Sequence, residues 1–198
     1  MNRLTGAFAV LLLAGCAMLP QGDVNRVPLG KALLYGSAIG LADDRGYTVV
    51  LIRRGPGTDV PCFIKSNEWD FAPQKGFVWT LLPGEYELYR FDTLEPTPTG
   101  GTRTMHDYWF SSKGVEAVAS LGRKPTEAEF RSFEHDTFRV EANQLYYVGE
   151  WKLRAQFPII RDNKPRSDKL VHSQYPNLDL DSAVTLIPTV TGDVESGE

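Results

Sequence analysis

The sequence predicts a mainly β protein, an antiparallel sandwich with one or two short helices. Short runs rich in Val, Ile, Tyr, Phe and Trp recur along the chain, and Gly, Pro and Asp separate them, which is the pattern of an all-β domain. Segments with helical signals are scarce by comparison. The 198 residues, 42% of them apolar, are sufficient to bury one core, and this length favours a single folded domain.

Nine runs are predicted to form strands. The longest shows its two faces clearly, because the odd positions from Leu145 to Leu153 share one side and Tyr146, Glu150 and Lys152 share the other. We expect the odd positions to point inward. The nine predicted strands are Leu33 to Leu41, Tyr47 to Arg53, Val60 to Lys65, Gly76 to Leu82, Glu85 to Phe91, Met105 to Ser111, Thr137 to Val140, Leu145 to Phe157 and Ala183 to Ile187.

Two segments are predicted to be helical, and two are predicted to be loops. Thr126 to Phe133 follows a proline and contains good helix formers, and Ser167 to Gln174 begins at a residue that can cap a helix. Asp92 to Thr104 contains prolines, glycines and five threonines, which predicts a long polar loop that either binds a ligand or serves as a mobile connector. The basic run from Arg161 to Lys169 is expected to be a solvated loop.

The N-terminal segment resembles a bacterial lipoprotein signal. A short head with Arg3 precedes an apolar run that begins at Leu4 and ends in the lipobox Leu13-Ala14-Gly15-Cys16. A transmembrane helix is the alternative interpretation. The run to Leu19 is shorter than the roughly 20 apolar residues that such a helix needs, and Pro20 ends it.

This resemblance implies covalent lipid on the thiol of Cys16 and no other cofactor. Several long acyl chains hold a protein firmly, because each buried CH2 contributes about 0.8 kcal/mol. The next residue is Ala17 rather than Asp, which in enteric lipoproteins implies sorting to the outer membrane. We therefore expect an envelope protein anchored to the outer membrane by its lipid and facing the periplasm.

The chain is expected to divide into four parts. Residues 1–15 are the predicted signal peptide, and residues 16–31, with their prolines and glycines, are a predicted flexible lipidated tether. Residues 32–188 are the predicted β-sandwich domain. Residues 189–198 are small and acidic, which is typical of a disordered tail.

Two sequence segments resemble segments of known β-sandwich families. Leu82-Pro83-Gly84-Glu85-Tyr86-Glu87-Leu88 is similar to an edge of transthyretin-like and carboxypeptidase-regulatory-like domains. Phe138 to Glu150 resembles a strand pair of small uncharacterised bacterial lipoproteins, with Asn143 where that family has glycine. The resemblance implies an immunoglobulin-like or transthyretin-like sandwich and no chemistry. Because Asn tolerates the left-handed conformation, a turn is still expected at Asn143.

Charge and cysteine content exclude some classes of function. The net charge is −4, and nucleic-acid binding requires clustered cations, so a nucleic-acid partner is not expected. The chain has two cysteines, and acylation of Cys16 leaves Cys62 without a partner in the chain. Cys62 lies in an apolar run. It is expected to be a buried thiol, with an intermolecular disulfide as the alternative.

The histidines provide the candidate metal site. His106-Asp107 and His135-Asp136 repeat the same dipeptide, and His and Asp side chains ligate metals. The spacings of known zinc motifs are absent, as are the local motifs of serine hydrolases and nucleotide-binding loops. Convergence of the two pairs in space would favour a metal-assisted hydrolase, whereas their separation would favour exposed residues at loop or strand ends.

Tyr108, Trp109 and Phe110 provide a candidate binding surface. In a strand, three consecutive aromatic residues cannot all face one side, so at least one must point away from the core. That side chain either meets a glycan or protein partner or packs under a neighbouring loop.

The function expected from these features is not enzymatic. A lipid-anchored sandwich without a catalytic motif is interpreted as an envelope accessory or binding module, which presents loops or a sheet edge to a protein or glycan partner. The alternative is a periplasmic metal-assisted hydrolase built on His106, Asp107, His135 and Asp136.

Overall fold

A computed structural model of the protein describes residues 24–39, 46–55, 59–65, 75–152 and 159–188. These residues form ten strands, three short α-helices and a 3-10 turn, Leu180–Ser182. The helices are α1 (Ser112–Ser120), α2 (Glu127–Ser132) and α3 (Lys164–Gln174). The strands are β1 (Ala32–Ile39), β2 (Gly46–Arg54), β3 (Val60–Lys65), β4 (Lys75–Leu81), β5 (Gly84–Pro96), β6 (Thr102–Tyr108), β7 (Thr137–Val140), β8 (Gln144–Lys152), β9 (Ile159–Arg161) and β10 (Val184–Thr185).

The strands form two five-stranded sheets, which confirms the predicted mainly β sandwich with short helices. Sheet A has the order β10-β8-β1-β4, with β9 also paired to β8, and sheet B has the order β3-β2-β5-β6, with β7 also paired to β5. The described pairs of sheet B are all antiparallel, as expected. Sheet A is mixed, because β8 runs parallel to both β1 and β10. A parallel pair needs a long crossover connection, and here all of sheet B and two helices separate β1 from β8 along the chain.

The main core lies between the two sheets and is rich in tryptophan. The ring of Trp151 meets that of Trp79 at 5.1 Å and that of Trp109 at 4.8 Å, both edge to face. Sheet B contributes large apolar side chains such as Tyr86 and Leu88, which are fully buried. Because residues of both sheets contribute to one continuous cluster, the two sheets form a true sandwich.

Helices cover the outer faces of both sheets. Helix α3 packs its buried Val171 against Tyr35 and Tyr147 of sheet A. Helices α1 and α2 pack apolar residues such as Phe130 against the aromatic outer face of sheet B, which includes Tyr108. The molecule therefore has four layers, with two sheets inside and short helices outside.

Most predicted strands are present, but the predicted loop Asp92 to Thr104 is mainly strand. β5 continues to Pro96 and β6 begins at Thr102, so a short turn alone joins them. In this turn the backbone N–H of Thr97 donates to the carbonyl of Gly101 at 2.8 Å. Alternating threonines favour paired strands as readily as they occur in loops, which explains the difference.

The folded part also begins earlier than predicted. Val24 is buried and packs in the same cluster as α3, so packing against the domain starts within the predicted tether, residues 16–31. Farther along, Asn143 has φ 62, which confirms the predicted left-handed turn there. The predicted signal peptide 1–15 and tail 189–198 lie outside the described residues. Within the described ranges, no helix is long and apolar enough to cross a membrane.

Candidate functional site: the groove beside strand β6

An open groove of about 460 Å³ lies between strand β6 and the start of helix α2. Strand β6 is an edge of sheet B, and the two helices that follow it fold back over the outer face of the sheet. The groove contains two residues that the sequence analysis singled out, His106 and Tyr108. Its lining residues are Arg103, Thr104, Met105, His106, Tyr108, Lys124, Pro125, Glu127 and Phe130.

The wall formed by α2 is fixed by a capping box. The hydroxyl of Thr126 accepts from the N–H of Glu129 at 3.3 Å, and the Glu129 carboxylate accepts from the N–H of Thr126 at 2.8 Å. Both guanidinium Nη atoms of Arg123 also donate to the Glu129 carboxylate, at 2.9 and 2.6 Å. The bonds from Arg123 and Thr126 lower the pKa of Glu129 to about 2. These contacts hold the turn that carries Lys124 and Pro125 into the groove.

The floor of the groove is aromatic. The rings of Tyr108 and Phe130 stack with centroids 3.9 Å apart. The hydroxyl of Tyr108 donates to the carboxylate of Glu127, and this hydrogen bond is the largest cause that lowers the pKa of Glu127. Burial, followed by the same hydrogen bond, raises the pKa of Tyr108. At neutral pH the groove therefore holds a charged carboxylate and an intact phenol.

The charges in the groove do not balance. Glu127 lies within 3.3 Å of Arg131 and 3.7 Å of Arg90, so two guanidinium groups already offset its charge. By contrast, the structure gives Arg103 and Lys124 no ion pair within the described parts of the chain. The groove thus presents two cations that are available to a ligand.

His106 lies on the rim of the groove and pairs with Asp92 rather than with its neighbour in the sequence. The two residues are directly opposite in the β5–β6 ladder, and His106 Nδ1 lies 2.5 Å from Asp92 Oδ1. Arg90 approaches the same carboxylate oxygen at 2.9 Å. The side chain of Asp107 lies outside the described residues. The sequence missed the importance of Asp92 because cross-strand partners are distant along the chain.

His135 is buried and makes contacts of a different kind. Its Nδ1 meets the carbonyl of Trp109, and its Nε2 lies 3.0 Å from the carbonyl of Phe130. Carbonyl oxygens only accept hydrogen bonds, so neither ring nitrogen of His135 is directed at a space that a metal ion could occupy. The carboxylate of Glu87 is 3.9 Å from Nε2. Burial raises the pKa of Glu87, while His135 and Arg54 oppose that rise.

Asp136 is half-buried next to this histidine. Its Oδ2 has no hydrogen-bond partner in the described part of the protein, and burial raises the pKa of its carboxyl group to about 6. The two dipeptides therefore differ in environment, with one histidine on a rim and the other in the interior. Among the described residues, no three His, Cys, Asp or Glu side chains are grouped so that they could hold a metal ion.

The three residues of the aromatic triplet are all buried, and of them Tyr108 alone lines the groove. Trp109 belongs to the core between the sheets, whereas Tyr108 and Phe110 face outward and lie beneath α1 and α2. The alternation of side chains was predicted correctly. Helix α1, whose residues complete this cover, has no strong local helical signal.

A second polar cluster, which was not predicted from the sequence, lies under helix α3. Glu150 is fully buried and accepts from the Nη2 of Arg161 at 2.6 Å and from Asn163 at 3.3 Å, with Arg166 also at 3.3 Å. Gly149, with φ 98, forms an irregularity in β8 that turns Glu150 toward α3. The expected solvated loop Arg161 to Lys169 is therefore wrong, because much of it is helix and its arginines bind this carboxylate.

Cys16, the predicted lipid attachment residue, lies outside the described residues, as does the side chain of Cys62. Comparisons with protein-family models, curated proteins and solved structures find no match for this chain. The resemblances to lipoproteins and to transthyretin-like domains therefore stay predictions from the sequence.

Proposed function

We propose that this protein is a lipid-anchored component of the bacterial envelope that acts as a non-enzymatic binding module. The groove beside β6 is its proposed binding site. The observation that carries this proposal is the pair of groove cations, Arg103 and Lys124, which have no anionic partner among the described residues. A protein or glycan partner that carries negative charge fits such a site.

The other polar groups of the groove support a binding role because they already have structural partners. Glu127 is engaged by Tyr108 and Arg131, and His106 is engaged by Asp92. Preformed, aromatic-floored grooves with a few convergent polar groups are typical of ligand sites. Binding therefore requires little rearrangement of the protein.

The anchor is proposed from the lipobox at Cys16, with the outer membrane and a periplasmic orientation as the expected location. Cells grown with a clickable fatty acid should label the wild-type protein, and Cys16→Ser should abolish both the label and recovery in the membrane fraction. Equal labelling of the two proteins would contradict the anchor without affecting the groove.

The binding role is tested by photo-crosslinking in living cells. A photoreactive amino acid at Met105, in the groove, should give a discrete adduct, and the same group at Ser173, on the exposed side of α3, should not. Lys124→Glu should reduce the Met105 adduct, because it replaces a groove cation with an anion. Equal adducts at both positions, or an adduct that is unaffected by Lys124→Glu, would refute the groove as the binding site.

A further inference from the structure

The groove runs along the open edge of strand β6 rather than along one of its faces. Four consecutive residues, Arg103 to His106, line it. Successive side chains of a strand point to opposite faces, so a groove on one face would be lined by every second residue. Lining by four residues in succession means that the backbone edge itself borders the groove.

The hydrogen bonds of the ladder show which backbone groups point into the groove. The N–H of Trp109 donates to the carbonyl of Tyr89 in β5 at 3.0 Å. At the turn, the N–H of Thr97 donates to the carbonyl of Gly101, so both bonds involve odd-numbered residues on the β6 side. The register between these bonds contains no irregularity. In an antiparallel pair, alternate residues bond inward and the others direct N–H and C=O outward. The outward set in the exposed part of β6 is Thr102, Thr104 and His106.

This edge lacks several of the usual protections. Natural proteins block strand edges with prolines, bulges, a covering segment or charged side chains, and in the described part of the chain only the last of these, Arg103, is present. Residues 102–106 contain no proline, are all exposed, and pair with β5 alone among the described strands. Lys124 and Glu127 line the other side of the groove, and no described strand other than β5 pairs with this edge.

The cations define the chemistry of the occupant. Arg103 lies on the face of β6 opposite to that of Tyr108, and Lys124 lies across the groove on the α2 side. A second copy of this edge would bring like charges together, whereas an acidic segment would neutralise both cations.

We propose that the groove binds an extended acidic peptide segment of an envelope protein, which adds a strand to the free edge of β6. This inference rests on the proposed function and names the ligand class of the same site. Main-chain bonds to Thr102, Thr104 and His106 supply affinity, and side chains of the added strand alternate between Lys124 and Arg103. Acidic residues are thus favoured on both faces of the peptide.

The test uses the full chain purified in detergent and a displayed library of random peptides of about ten residues, longer than a typical strand. Selected peptides should be acidic, and their binding should weaken as salt rises. In the complex, the amides of Thr102, Thr104 and His106 should exchange with deuterium more slowly than in the free protein. The amides at 103 and 105 bond to β5 already, so their exchange should change little.

Thr104→Pro removes one outward N–H and leaves the bonds to β5 in place, because edge strands accept proline at such positions. It should weaken peptide binding about tenfold relative to Thr104→Val, which keeps the N–H. Circular dichroism checks that both variants fold. Lys124→Glu gives a second measurement, with weaker binding of acidic peptides, that does not depend on a proline.

The outcomes separate this inference from the proposed function. Equal binding by the proline and valine variants, with unchanged amide exchange, would refute strand addition but leave the groove as a binding site. Binding of an acidic glycan, tested with oligogalacturonate, together with failure to select any peptide, would also overturn the inference alone. Absence of both peptide and glycan binding, with no adduct at Met105 in cells, would overturn both.

Discussion

The two outer faces of the sandwich are both covered by helices, but the covers are built differently. On sheet A, α3 closes over a polar cluster in which each group has a partner. Glu150 is bound by two arginines and Asn163, and the hydroxyls of Ser37 and Ser167 bond to each other at 2.7 Å. On sheet B, stacked aromatic rings form the contact.

The cover of sheet B is also less complete. One buried polar atom without a hydrogen-bond partner in the described residues, Asp136 Oδ2, lies in the segment that follows α2. The edge of β6 and the cations Arg103 and Lys124 are left open on the same side. Buried polar groups need partners, and those under α3 have them, whereas the groove beside β6 leaves two cations to a ligand.

Removal of the Glu150 carboxylate should produce the largest effect. Glu150→Ala removes a fully buried anion from two arginines that are themselves partly exposed, and it should lower the unfolding free energy by about 2 kcal/mol in urea titrations. Glu129→Ala is the matched control, since Glu129 is also held by an arginine fork but has a side chain 32% exposed. A loss for Glu150→Ala no larger than that for the control would contradict the closed, structural character of this face.

Substitution of Asp136 should change the unfolding free energy by a smaller amount and in the opposite direction, towards greater stability. Its pKa is about 6 in the folded protein and about 3.9 in an unfolded chain, so the folded state binds the proton more tightly and the unfolding free energy falls as pH rises from about 4 to 6. Asp136→Asn removes this loss. It should stabilise the protein by about 1 kcal/mol at pH 7 and should have no effect at pH 3. The expected gain is smaller than the full pKa shift implies, because the carboxyl group is half exposed and solvent screens it.

Denaturant titrations of wild type and Asp136→Asn at the two pH values measure this difference. Asp162→Asn provides a control at an exposed aspartate beside the other helix. A gain that is equal at both pH values would mean that hydrogen bonding of the amide, rather than loss of the buried charge, causes the stabilisation.

Local patterns predicted much of the fold. The bounds of β3 and β7 match the sequence prediction, because turn-forming residues and alternating apolar residues mark these strands clearly. The inward face of β8 was predicted less well. Its odd positions Leu145 and Tyr147 face α3, while Tyr146 and Val148 enter the core between the sheets. Both faces of this central strand are buried, so alternation alone does not show which side meets the other sheet.

The candidate site depended on information that local patterns do not contain. The groove forms because β6 lies at an edge and α2 folds back beside it, and both facts come from pairing across long sequence distances. Helix α1 carries Gly114 in its first turn, which weakens any helical signal. The structure requires this glycine, because a Cβ there would lie 2.2 Å from the carbonyl of Glu134. Cross-strand pairing likewise joined His106 to Asp92.

The smallest effects on stability are expected at the groove cations, Arg103 and Lys124. Arg103→Gln and Lys124→Gln should each change the unfolding free energy by less than about 0.5 kcal/mol, because neither side chain holds an ion pair among the described residues. Arg161→Gln, on the closed face, should cost clearly more, since Arg161 binds the buried Glu150. Urea titrations at low and high salt measure all three. If either groove variant were as destabilising as Arg161→Gln, its cation would have a structural role, and the open face would lose the feature that distinguishes it as a binding site.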